Sequence, residues 1–157
     1  MLALLDSNVV IASVAVEHEH HKASAALLNE FSSRSFAVAA HSYSEAFSSL
    51  TRRSRGAPFE FDPEDAMAAL ESVAAQCVLI GLTHAQTFDA IRDFAGVRGI
   101  GPRLYDKLIG ETAVVNGIAC IVTWNVAHFT SIFPTLTVVG PEQFAATHLG
   151  RRKDPAE

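Results

Sequence analysis

Five short apolar segments rich in β-branched residues, "LALL", "FAVAA", "CVLIG", "ACIVTW" and "LTVVG", recur along the chain with longer stretches of helical spacing between them. This alternation constrains the fold more than any other feature. Strands covered on both faces read as unbroken apolar runs, and connections long enough to hold a helix let neighbouring strands run parallel. The pattern predicts an α/β fold with a central, mostly parallel sheet flanked by helices. Helices are expected at 17 to 32, 42 to 54, 63 to 75, 84 to 95 and 103 to 116, with a short one at 141 to 147. Punctuation supports several starts: Ser42 stands three residues before Glu45 as in a capping box, Asp62 precedes Pro63, and Thr83 precedes the helix at 84.

With 157 residues, 49% of them hydrophobic and 18% charged, the chain can bury one substantial core but is short for two. One domain over residues 1–149 is expected, with the tail from Gly150 fraying. The net charge is −5, and the body before the closing "RRKDPAE" stands at −6, which argues against a general polyanion binder while leaving room for a local basic patch. Cys77 and Cys120 sit inside apolar runs, as small hydrophobes do, so neither a disulfide scaffold nor a cysteine zinc site is expected. The apolar start has no basic residue ahead of it and is broken by Asp6, and no run of 18 uninterrupted apolar residues occurs. The expected location is the cytoplasm, with no membrane partner.

In a parallel sheet flanked by helices, ligands bind outside the carboxyl ends of the strands. Asp6 ends the first strand, Glu45 begins the helix after the second, and Asn125 ends the strand "ACIVTW". Each acid has a plainer reading. Asp6, with Ser7 and Asn8, also suits a turn or the cap of a short apolar helix "VVIASVA". Glu45 also fits as the capping-box partner of Ser42, although it shares a helix stripe with Ser48, Ser49 and Arg52. Asp106 also fits as a first-turn acid favoured by the helix dipole, but its same-face neighbours Ile109, Gly110 and Ala113 form an inward stripe on which a lone carboxylate is costly. Three carboxylates meeting at one crevice suit a hard divalent cation such as Mg²⁺ or Mn²⁺, the setting for phosphodiester hydrolysis.

Other features are weighed the same way. The histidines of "EHEHH" (17 to 21) fit a solvated helix start better than a metal site. "GIG" before Pro102 lacks the full glycine fingerprint of a dinucleotide loop. Trp124 and Phe129 are candidates to stack on a base, with core packing the simpler role for Phe129. Arg52, Arg53 and Arg55 in one glycine-containing loop, and Arg98 and Arg103 in another, form either a phosphate-holding rim or solvated loop charge.

The segments "LLDSNVVIA", "HSYSEAF", "RLYDKLIGETAVVNG" and "CIVTWNVAHF" resemble the four ordered motifs of PIN-domain ribonucleases, and the size and span resemble a VapC-type toxin of a toxin–antitoxin pair, from residue 2 to about 145. The resemblance implies a parallel sheet flanked by helices, an acidic site binding Mg²⁺ or Mn²⁺, and endonucleolytic cleavage of RNA. Asp6, Glu45 and Asp106 match the family's acids; Ser7 or Asn8, and Thr123, match supporting polar positions. The last motif departs from the family by carrying Asn125 and His128 where an acid is common, which leaves a one-metal site open. The resemblance also implies a homodimer and a cognate antitoxin that blocks the site.

Two readings follow. The first is a metal-dependent endoribonuclease in which Asp6, Glu45 and Asp106 hold the cation, Asn125 assists, His128 supports, and loop arginines place the strand. The alternative is a PIN-like module that has lost efficient cleavage through Asn125 and His128 and works by binding RNA or protein. A phosphoacceptor receiver domain ranks below both, because "LIGLT" carries no acceptor aspartate and no lysine follows "LTVVG".

Overall fold

The computed structural model describes residues 3–149. Leu4 and Leu5 are neighbours in sequence but enter different cores, because successive side chains of a strand point to opposite faces. They belong to β1 (Ala3–Leu5), the middle strand of a five-stranded parallel sheet. β1 is followed by α1 (Ser7–Val14), α2 (His21–Glu30), β2 (Phe36–Ala39), α3 (Ala40–Leu50), α4 (Pro63–Ala74), β3 (Val78–Ile80), α5 (His84–Gly96), α6 (Arg103–Val115), β4 (Cys120–Val122), α7 (Val126–Ile132), β5 (Thr137–Val139) and α8 (Pro141–Leu149). The α/β reading is borne out, and all four strand pairings run parallel.

The strand order is β3-β2-β1-β4-β5. From β1 the chain builds outward through β2 to β3, then returns to lay β4 on the other side of β1 and continues to β5. The order therefore reverses between β1 and β4, the kind of position at which parallel α/β sheets open a crevice. One face of the sheet buries Ala3, Leu5, Phe36, Val38 and Val122 with Leu27 and Phe144; the other buries Leu4, Ala37 and Ile121 with Ile109, Phe129 and Phe133. Phe144 and Phe129 are both fully buried, and each ring contributes roughly 2–3 kcal/mol of apolar burial.

Close packing on the second face depends on Gly110. A Cβ built there would stand 1.9 Å from the Phe133 ring, so only glycine lets α6 approach α7 this closely. α6 ends in a Schellman motif, with Gly117 in the left-handed region, Gly117 N–H donating to Val114 and Ile118 N–H to Ala113. α5 ends the same way, but Arg98 takes the left-handed position (φ 56°) and Gly99 closes against the Phe94 ring.

Several local expectations change. The expected capping box at Ser42 does not form: β2 passes directly into α3, which starts at Ala40, and Ser42 lies inside the helix with its hydroxyl buried and unpartnered. The box forms instead at Thr83, whose hydroxyl accepts from Gln86 N–H while the Gln86 side chain accepts from Thr83 N–H. The helix expected from 17 begins at His21, after a turn, and α7 is absent from the expected helices. The "EHEHH" histidines are not a freely solvated start: His20 stacks on Trp124 with ring centroids 3.8 Å apart, and His21 Nδ1 lies 2.9 Å from the Ala12 carbonyl. The tail from Gly150 lies outside the described residues.

Candidate active site

The end of β1 delivers Asp6 to the crevice between β1 and β4. Its backbone N–H still donates to Val122 of β4, and its own carbonyl accepts the first bonds of α1, from Val9 and Val10. The residue is therefore fixed from both sides of its backbone and is 2% exposed. Both carboxylate oxygens are also held. Ser7 Oγ donates to Oδ1 at 3.2 Å, and Thr123 Oγ1, just past β4, donates to Oδ2 at 2.7 Å.

Thr123 is the junction of this network. Besides donating to Asp6, its hydroxyl accepts from Asn8 Nδ2 at 3.1 Å and from Asn125 N–H at 2.9 Å, which uses its one proton and both lone pairs. Asn8 in turn accepts from Trp124 N–H at 3.2 Å, tying the start of α1 to the segment after β4. Trp124 is itself engaged, donating its indole N–H to Ser24 at 3.0 Å, and Phe129 is fully buried; both sequence-stacking candidates are built into the protein.

Glu45, on the second turn of α3, and Asp106, on the first turn of α6, face the same opening. A cavity of about 480 Å³ is lined by Glu45, Arg103, Tyr105, Asp106, Asn125 and His128. Asp6 is not part of this lining but lies near enough that the acids act on one another. Burial, and then the Asp106 charge, push the Asp6 carboxyl up to about 6 against the hydrogen bond from Thr123. Burial and the Asp6 charge push Glu45 up to about 7, opposed by a hydrogen bond from Ser7. Burial raises Asp106 as well, opposed by His128 and Arg103. His128 Nδ1 lies 2.6 Å from Asp106 Oδ2 and 3.3 Å from Asn125 Nδ2.

Desolvated carboxylates that raise one another's proton affinity call for a positive charge. The donor set is all oxygen, as a hard divalent cation requires, and the buried Oε2 of Glu45 has no hydrogen-bond partner. Asp6, Glu45 and Asp106 thus fit such an ion. Among the described residues no trio of His, Cys, Asp or Glu already stands at coordinating spacing.

Of the five candidate loop arginines, Arg103 lines the acidic opening, and Arg98 and Arg103 line a larger cavity of about 1180 Å³ beside it. Arg52 lines a smaller one on the other side. Arg53 is committed to its own loop, donating to the carbonyls of Glu60 and Phe61 and to Asp62. Arg55 is exposed. Two side chains beside the acids went unread in the sequence: Tyr105, which lines the opening, and His41, which lines the adjoining cavity.

A family model described as PIN domain matches residues 3–127. The chain belongs to the PIN domain family. This PIN domain also resembles solved structures. VapC20 of Mycobacterium tuberculosis, a sarcin–ricin loop cleaving toxin, shares 14% identity at a TM-score of 0.59, covering 76% of this chain and 86% of its own. VapBC2 of Rickettsia felis, bound to a promoter DNA fragment, shares 18% at 0.59, covering 88% and 97%. FitAcB of Neisseria gonorrhoeae shares 17% at 0.57, covering 90% and 99%. At these identities the likeness establishes the fold. The search of curated proteins found no match to this chain by sequence.

Proposed function

We propose that this PIN domain is a divalent-metal-dependent endoribonuclease of the VapC type, cleaving phosphodiester bonds of RNA and restrained by a cognate antitoxin. One observation carries the reading: Asp6, Glu45 and Asp106, from separate parts of the chain, lie close enough that the Asp106 charge raises Asp6 and the Asp6 and Asp106 charges raise Glu45. Clustered acids of this kind repel an RNA backbone unless a cation joins them. Asp6, Glu45 and Asp106 are the residues that hold it, Mg²⁺ or Mn²⁺. When bound, such an ion supplies Lewis acidity and charge neutralisation at the phosphodiester.

The chain's own residues supply the geometry. Thr123 and Ser7 hold both oxygens of Asp6 in place, so the deepest ligand is set before anything binds. Arg103, on the wall of the opening, draws the phosphate toward the acids. Asn125 and His128 border the same space and steady Asp106. A protein partner and a second copy of the chain have apolar surface to cover in Phe88, Val97 and Ile100, all more than two-thirds exposed around α5. No helix among the described residues is long and apolar enough to cross a membrane, and cytoplasmic action fits an RNA substrate.

Purified, antitoxin-free protein incubated with total RNA should give discrete fragments in Mg²⁺ or Mn²⁺, none with chelator, and none with Asp106→Asn. The ion-pair contact of His128 with Asp106 favours a second reading, a binding module with little turnover. Metal binding without fragments supports that alternative and makes Asn125 and His128 the residues to replace with acids.

A further inference from the structure

α3 turns a continuous polar stripe toward the acidic opening. His41, Ser44, Glu45, Ser48, Ser49 and Arg52 follow the spacing of one helix face, while Ser42, Ala46 and Leu50 are buried on the other. A stripe of small hydroxyls on a helix usually faces bulk water. Here it lines a cavity of about 410 Å³, with Tyr105 of α6 as a further wall. This cavity shares Glu45 and Tyr105 with the acidic opening, so the two adjoin at the acid itself.

Two buried polar atoms on this wall, His41 Nε2 and Glu45 Oε2, have no hydrogen-bond partner within bonding geometry, although the His41 imidazole lies near the Tyr105 backbone. Folded proteins rarely leave such atoms unpaired without a ligand, ion or water to serve them. A cation answers for Glu45 but not for His41. The flank on the other side of the acids differs in character: the larger cavity there presents Phe94, Val97 and Ile100 beside Arg98 and Arg103. Apolar and cationic walls hold any nucleotide, since every nucleotide offers the π-face of its base and a phosphate. Hydroxyls and an imidazole discriminate, because each base edge carries its own pattern of donors and acceptors.

We propose that the α3 cavity is a nucleotide-recognition subsite, in which His41, Ser44 and Ser48 read the edge of the base next to the scissile bond and Arg52 takes the phosphate beyond it. The span suits this use: α3 rises about 7–8 Å from Glu45 to its end at Leu50, with Arg52 two residues beyond, room for one nucleotide. Tyr105, half-exposed at the mouth, offers a ring for that base to rest on. The inference rests on the endoribonuclease reading for its substrate, and gives that reading a source of sequence preference.

The test is sequencing of the RNA retained by the full chain from a random single-stranded pool, with Ca²⁺ present, for wild type, Ser44→Ala/Ser48→Ala and Ser72→Ala. Alanine is the better helix former, so the double variant should fold, and its melting temperature confirms it. Wild type should enrich one base at one position about tenfold, the ratio that 1.4 kcal/mol provides. The double variant should fall to within about twofold of parity there, and Ser72→Ala, whose hydroxyl bonds its own helix, should match wild type. An unchanged preference in the double variant overturns the subsite. So does wild-type retention without preference, which would assign the cavity to a segment of a protein partner. Cleavage of the same pool in Mg²⁺ separates the two readings. Preferential binding without cleavage sinks the nuclease and keeps the subsite; cleavage with a preference the double variant retains does the reverse.

Discussion

Asp6 and Glu45 bring the same chemical group to the same opening, but one has both oxygens held and the other has an oxygen left unpartnered. Asp6 stands just past the central strand, fixed through its backbone to β4 and through its side chain to Ser7 and Thr123. Glu45 stands on a helix whose exposed stripe lines an adjoining cavity, with its Oε2 buried and unserved. Burial raises both carboxyls all the same. The difference separates two tasks: Asp6 defines where the site is, and Glu45 leaves binding capacity unspent at its edge.

The comparison can be broken most forcefully by Asp6→Asn. Cleavage should fall by roughly a thousandfold, the scale seen when a preorganised electrostatic group is removed, while circular dichroism and melting stay close to wild type. Full activity in this variant would remove Asp6 from the mechanism. Next in size is Thr123→Val, which strands Asn8 Nδ2 and the Asn125 N–H along with Asp6. Urea titration should show a loss of about 2–3 kcal/mol, with Thr123→Ser restoring most of it; Glu45→Gln should show no comparable loss.

A smaller effect comes from pH. Asp6 and Glu45 rise from ordinary values of 3.8 and 4.5 to about 6 and about 7. A raised carboxyl binds its proton more tightly in the folded state, so its contribution to stability is present at low pH and is lost as pH climbs from about 4 through 7. Metal-free protein should therefore melt lower at pH 8 than at pH 5, and Mg²⁺ should raise the melting temperature more at pH 8, where it does not compete with protons. A melting temperature that climbs over this range would contradict the assigned burial. The smallest expected change is Arg98→Gly, which relieves a left-handed arginine and should add about 1 kcal/mol. If Arg98 also contacts phosphate, the salt dependence of RNA binding should become shallower by about one unit of slope.

The sheet was readable because every strand is a short apolar run, and a parallel sheet covered on both faces demands such runs from its central strands. The strand order was not, since nothing in "ACIVTW" says it returns to lie beside "LALL". The Ser42–Glu45 spacing pointed to a capping box, yet the tight passage from β2 into α3 starts the helix earlier and leaves both residues inside it. α7 escaped notice because it is only seven residues long and follows β4 almost at once. Among the site residues, the three acids and Thr123 stood out through the family resemblance, and the structure brings them together. The Asn8–Thr123 bond and the orphaned His41 Nε2 could not be read, because both arise from contacts between distant parts of the chain.

The bond from Thr123 to Asp6 joins residues 117 positions apart. During synthesis, the first strand emerges early and must wait for β4 before its carboxylate gains this partner or the neighbour that completes the crevice. A chain broken off before residue 120 therefore carries Asp6 and Glu45 without the strand that completes the crevice. The crevice around Asp6 is thus completed only once β4 has been made and laid beside β1, however early the acid itself appears.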